Sequence, residues 1–233
     1  MALPKIDLPI MEVELPSNGK KVKIRPFTVK EEKILLVAQE SDEPAAEMLA
    51  IKQILTNCVI DADVEELPVF DMEFLLLKLR SISVDNKVEF AITDPETEEA
   101  VTLSIDVDEV NIATAEGHTN EIKINDDYTL FLKYPNVDSF IRINQLDGTD
   151  PLTTYFIMTS CLDYIASEDE IEYFKDYTDK EIEQFMDELP GKTLNKIVNF
   201  FETMPRLKHE LKYTNKNGNE QTFVVEGTRS FFI

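Results

Sequence analysis

The side chains of this chain best suited to chemistry are 2 histidines, 2 cysteines and 46 carboxylates. His118 stands in the polar run Glu116-Gly117-His118-Thr119, and His209 in the charged run Lys208-His209-Glu210. A Ser-His-Asp or Cys-His arrangement needs the imidazole beside its partners, and only the fold could bring them together here. Both histidines therefore read as surface residues. Asp61-Ala62-Asp63-Val64-Glu65-Glu66 has the first two ligand spacings of a calcium loop. Glu66 stands where that loop needs glycine, and Met72 fills its twelfth place, one residue before Glu73. The run reads as a solvated acidic linker. Asp147-Gly148-Thr149-Asp150 reads as a turn and helix cap. No glycine-rich phosphate loop or dinucleotide fingerprint occurs. Cys58 and Cys161 lie in apolar contexts without metal-type spacing, as buried free thiols of a reducing cytosol do. These readings give no catalytic, cofactor-binding or metal residue, and the chain is expected not to be an enzyme.

Charge points the same way. Lys and Arg total 23 against 46 Asp and Glu, for a net charge of −23. Such a surface repels nucleic acid and anionic membranes and favours solubility or a basic partner. Met1 to Leu8 carries Pro4, Lys5 and Asp7 and lacks the apolar run of a signal peptide. No apolar stretch approaches the length that spans a bilayer. Hydrophobic residues make up 43% of the chain, so a real core is expected.

The elements follow from periodicity and punctuation. Met11, Val13 and Leu15 alternate with glutamates, Asn18-Gly19 turns the chain, and Val22 and Ile24 alternate back, which predicts a hairpin over 11–25. Thr28 and Glu31 form a capping box for a helix to about Gln39 that buries Ile34, Leu35 and Ala38. Ser41 is placed to cap a second helix, with Met48, Ile51, Leu55 and Cys58 on one stripe. Asp71 is placed to cap a third, carrying Phe74, Leu75, Leu77, Leu79 and Ile82. The period then changes to two, and Val88, Phe90 and Ile92 pair with Val101, Leu103, Ile105 and Val107 across the turn Asp94-Pro95-Glu96-Thr97.

Past a polar stretch at 113–120, strands are expected near 121–124 and 128–133. A short helix from Asn136 or Asp138 and a longer one from about Pro151, presenting Leu152, Tyr155, Phe156, Leu162 and Ile165, come next. Ile171 to Phe174 reads as a strand, and Thr178 and Glu181 repeat the capping box. Pro190-Gly191 separates that helix from one holding Leu194, Ile197, Val198, Phe201 and Met204. A hairpin over 207–213 and 222–225 closes the pattern. The fold class is α+β, mixed helices with several antiparallel β-hairpins. The polar stretch suggests regions 1–115 and 116–233, or one continuous domain. Two features lean toward partner binding: Phe74 and Leu77 on the third helix, apolar on most sides, and the terminal Phe231, Phe232 and Ile233.

Residues 8–19, Leu-Pro-Ile-Met-Glu-Val-Glu-Leu-Pro-Ser-Asn-Gly, and above all Arg25-Pro26-Phe27-Thr28-Val29-Lys30-Glu31-Glu32-Lys33 carry a family likeness. With the leucine-rich stretch Asp71 to Leu79 and the hairpin Phe90 to Val110, they make the chain resemble the baseplate hub assembly proteins of T-even-type contractile-tailed phages. The resemblance implies a non-enzymatic hub subunit or assembly chaperone working by protein–protein contact. Its partners would be other tail or baseplate hub proteins, or further copies of itself, with no nucleic acid and no membrane. It implies a place in the host cytoplasm during assembly, or in the virion baseplate. Relatives with a C-x-x-C knuckle in the second hairpin do not lend this chain a zinc site, because Asp94-Pro95-Glu96-Thr97 holds no cysteine. The competing expectation is an acidic adaptor or inhibitor docking a basic host-protein surface.

Overall fold

The computed structural model describes residues 6–40, 44–139, 141 and 151–226. The chain forms two compact units, Met1–Ala113 with Arg206–Ile233, and Thr114–Pro205. The division differs from two consecutive halves, because the closing hairpin belongs with the first unit.

In the first unit, β1 (Met11–Glu14) and β2 (Lys21–Ile24) pair antiparallel with Val13 opposite Val22. Gly19 closes their turn at φ +69°, a conformation that a Cβ would strain. α1 (Val29–Gln39) begins at the expected capping box: the Thr28 amide donates to Glu31 Oε2 at 2.9 Å, and the Thr28 hydroxyl accepts from the Lys30 amide at 3.4 Å. α2 (Pro44–Cys58) ends against the hairpin, where the Arg25 amide donates to the Cys58 carbonyl at 3.0 Å and Ile24 bridges Val59. Ser41, Asp147 to Asp150 and the far end of the helix that Asn136 begins lie outside the described residues. Asn136 itself caps that helix, accepting from the Ser139 amide at 3.0 Å.

α3 (Val69–Ser83) is the core of this unit, with Leu75 and Leu79 fully buried. Its start departs from expectation. Pro68 occupies the cap, and Asp71 lies one turn inside, accepting from the amide and hydroxyl of Ser17 in the first hairpin's turn. Proline is favoured at helix starts, where a missing N–H costs nothing. That choice releases the buried Asp71 carboxylate for a long-range contact.

Two carboxyls of this unit carry opposite pH signatures. Burial pushes Glu31 up, but the Thr28 hydroxyl and amide, with Arg25 at 3.2 Å, hold it down to about 2. A folded pKa below the usual 4.5 contributes stability above that value and loses it as pH falls through the folded pKa. Burial raises Asp71 above 3.8 despite its Ser17 donors, so its contribution is fullest below 3.8 and is lost as pH rises through the folded value. Glu31→Gln is therefore expected to flatten the loss of stability on acidification. Asp71→Asn should instead gain on the wild type as pH rises toward neutrality. Urea midpoints across a pH series check both signs.

β3 (Lys87–Thr93) and β4 (Ala100–Asp106) make the second hairpin, with Phe90 opposite Leu103. β10 (Arg206–Thr214) pairs with β11 (Glu220–Glu226) on one edge and with β5 (Asn111–Ala113) on the other, so Leu207 faces Ile112. The turns of the two hairpins are clasped. Glu96 accepts from Asn215, Asn217, Asn219 and Gln221 at 2.7–3.1 Å. Asp94 accepts from the Tyr213 hydroxyl at 2.7 Å and from the Thr97 amide at 2.8 Å. Donation to Asp94 raises the Tyr213 phenol to about 12, and the Tyr213 hydroxyl leads the donors that lower Asp94. The turn without knuckle cysteines is thus held by carboxylate–amide hydrogen bonds.

The second unit is built on a four-stranded antiparallel sheet in sequence order: β6 (Glu121–Lys123), β7 (Thr129–Leu132), β8 (Leu162–Ala166) and β9 (Ile171–Tyr173). α4 (Pro151–Ser160) precedes β8. The helix expected to run on through Ile165 stops at Ser160. Leu162–Ala166 is strand because Leu130 pairs with Ile165 and Phe131 stacks on Tyr164 at 4.5 Å between ring centres. α5 (Asp179–Asp187), with Thr178 and Glu181 as its capping box, and α6 (Gly191–Thr203) complete the unit. Leu130, Leu132, Ile197 and Phe200 form the centre of its core.

Candidate functional site

The residues best suited to catalysis are used structurally. His118 is half-buried rather than on the surface, stacked on Tyr134 and Phe200 with ring centres 5.7 and 5.3 Å away. Thr203 donates its single hydroxyl proton to the Asn199 carbonyl at 2.6 Å, so it accepts from His118 Nδ1–H at 2.9 Å. Nε2 is then the acceptor for the Tyr134 hydroxyl at 2.8 Å. Burial lowers this imidazole's pKa, and the neutral ring ties α6 to the start of the sheet. His209 lies within β10 and pairs with Val225 of β11.

The acidic run also has protein partners. Asp61 accepts from the Lys23 amide at 2.7 Å, Asp63 caps a short 3-10 turn through the Glu65 amide, and Glu65 pairs with Lys52 at 3.1 Å. Among the described residues, no three His, Cys, Asp or Glu side chains come together as a metal site. Cys58 and Cys161 are free and fully buried, and burial pushes both thiols up to about 11. Neither is expected to react with a disulfide reagent in the native chain, and both should react in denaturant. Prompt labelling of either thiol without denaturant would contradict that placement.

The surfaces are more informative. Leu77 is 1% exposed and packs in the first unit's own core, so it has no face to offer a partner. Phe74 is half-buried, with Lys78 Nζ 5.4 Å from its ring centre. Phe231, Phe232 and Ile233 lie outside the described residues. The open apolar face belongs to α1: Val29, Leu36 and Val37 are 65%, 56% and 70% exposed. They fall at i, i+7 and i+8, one side of the helix, opposite the buried Glu31 and Ala38, with the exposed Lys33 between Val29 and the Leu36–Val37 pair. α1 packs on α2, where Leu49 is also exposed. The signal for this face was present in Ile34-Leu35-Leu36-Val37-Ala38, because five consecutive apolar residues on a helix cannot all point to one side.

A second concave surface lies wholly within Thr114–Pro205. It is a cleft of about 580 Å³ between one end of the sheet and α5. Its lining includes the half-buried Ile165, Ile182 and Phe185 and the more exposed rings of Tyr128 and Tyr177. Glu172, Glu181 and Glu188 border it. Tyr177 donates to Glu172, and that hydrogen bond raises the phenol's pKa. Tyr128 and Tyr177 are 49 residues apart in sequence, so no local pattern marks the cleft.

Among the described residues, no helix is long and apolar enough to cross a membrane. A family model described as T4 bacteriophage base plate protein matches residues 8–233. No curated protein and no solved structure matches the chain.

Proposed function

The chain belongs to the T4 bacteriophage base plate protein family, and from that premise we propose that it serves the baseplate hub as a non-enzymatic subunit or assembly factor, acting through protein–protein contacts. The observation that carries this reading is the outward apolar face of α1 formed by Val29, Leu36 and Val37. Exposed apolar side chains grouped on one element mark interaction sites, because covering them removes apolar surface from water. The favoured partner is another tail or baseplate hub protein, met in the host cytoplasm during assembly. The engagement of His118, Asp61 and Asp63 in structural hydrogen bonds supports a role without catalysis.

Deleting the coding sequence from the phage tests the assembly role. Infected cells are expected to accumulate heads and unattached tail proteins, with completed baseplates missing in electron micrographs. Normal baseplates in the deletion phage would refute the reading.

A further inference from the structure

We infer that the cleft of the second unit is a docking site for a short basic segment of another protein, one that inserts a large apolar side chain between Tyr128 and Phe185 and sets Lys or Arg beside Glu172 and Glu188. The inference does not depend on the α1 face, which belongs to the other unit. Size argues first. About 580 Å³ falls within the roughly 300–1,000 Å³ of sites that enclose a ligand-sized group, and it would hold one or two large side chains.

The lining argues next. Ile165, Ile182 and Phe185 provide apolar lining, while Tyr128 and Tyr177 remain 47% and 41% exposed. Such rings offer apolar surface with a polar tip and lose little conformational freedom on binding, as at protein–peptide interfaces.

Charge fixes the chemistry of the occupant. Three glutamates border the cleft, and no Lys or Arg occurs among its described lining residues. Glu181 is engaged in the capping box with Thr178, Glu172 accepts from Tyr177 and Glu188 accepts from Gln184 at 3.2 Å, and none of these partners is a cation. Glu172 and Glu188 stand on separate elements, one in β9 and one just beyond α5. An acidic segment entering here would meet like charge from two sides, and a basic one would be drawn in. A second copy of this chain is a poor occupant for the same reason, since its own acidic residues outnumber its basic ones 46 to 23.

The chain has no tryptophan, so a tryptophan-containing peptide reports its own burial without background. The probes are acetylated, amidated Lys-Lys-Trp-Leu-Lys, with Ser or Glu in place of every Lys as neutral and acidic counterparts. Titrated into the full chain at low salt, the basic peptide is expected to show a blue-shifted emission. Its affinity should exceed the acidic peptide's by about tenfold or more and fall as salt is added. Tyr128→Ala should weaken it, and Glu172→Lys with Glu188→Lys should reverse the preference. Three results would overturn the inference: equal binding of the three peptides, no shift with any of them, or a preference that the double charge reversal leaves intact. Sedimentation showing a dimer that Tyr128→Ala dissociates would also overturn it, by giving the cleft to a second copy.

Discussion

Leu36→Asp combined with Val37→Asp is expected to abolish recovery of baseplate proteins with the tagged chain while leaving the fold intact. Both side chains point to water, at 56% and 70% exposure, and neither contributes to the core of the first unit. Surface substitutions of this kind change stability by about 0.5 kcal/mol or less. Aspartates in the centre of a desolvated interface have a much larger effect. Losing a central apolar anchor commonly costs about 2–4 kcal/mol of binding, or roughly 30-fold to 1,000-fold in affinity. Lys20→Glu, exposed in the turn of the first hairpin and outside α1, is the control for charge alone. If the double variant recovers its partners as well as the wild type, the α1 face is not the interface.

Asn215→Ala is expected to destabilise the first unit more than substitution of either neighbouring clasp asparagine. Its Nδ2 donates to Glu96 at 2.8 Å, and its Oδ1 accepts from the amides of Asn217 and Asn219 at 3.1 and 3.0 Å. Asn215 is 5% exposed, so removing the amide strands groups that water cannot readily serve. The expected loss is about 1–3 kcal/mol, measured by urea unfolding. Asn217→Ala and Asn219→Ala should each cost less, because the three remaining donors still serve Glu96. Equal effects at all three positions would mean that the clasp is not organised around Asn215.

Much of this fold is legible locally, and the elements that are not share a cause. Both capping boxes, Thr28 with Glu31 and Thr178 with Glu181, start helices where the sequence places them, because the cap's partners lie three residues apart. The first and second hairpins and the closing one are legible for a similar reason, since strand alternation and turn residues are local signals. Leu162–Ala166 was expected as helix because a short apolar run fits either period, and its pairing with β7 is a contact over some 30 residues. Asp71 reads as a cap from local sequence because its partner, Ser17, lies 54 residues earlier.

The same limit governs function. The face of α1 could have been found in the unbroken apolar run from Ile34 to Ala38. The stronger apolar pattern, on α3, reflects burial in the unit's own core, as at Leu77. The Glu96 clasp joins turns about 120 residues apart, and the cleft joins Tyr128 to Phe185. Neither has a signature that composition or spacing would display.

The central claim is that this chain works by binding other baseplate proteins. Affinity purification of the tagged chain from infected cells, with mass spectrometry of the eluate and of purified virions, tests it most directly. The account predicts that hub or other tail proteins dominate the eluate. The chain's presence in virions would make it a subunit, and its absence from them an assembly factor. An eluate holding host proteins alone would contradict the account and favour an acidic adaptor of a basic host surface.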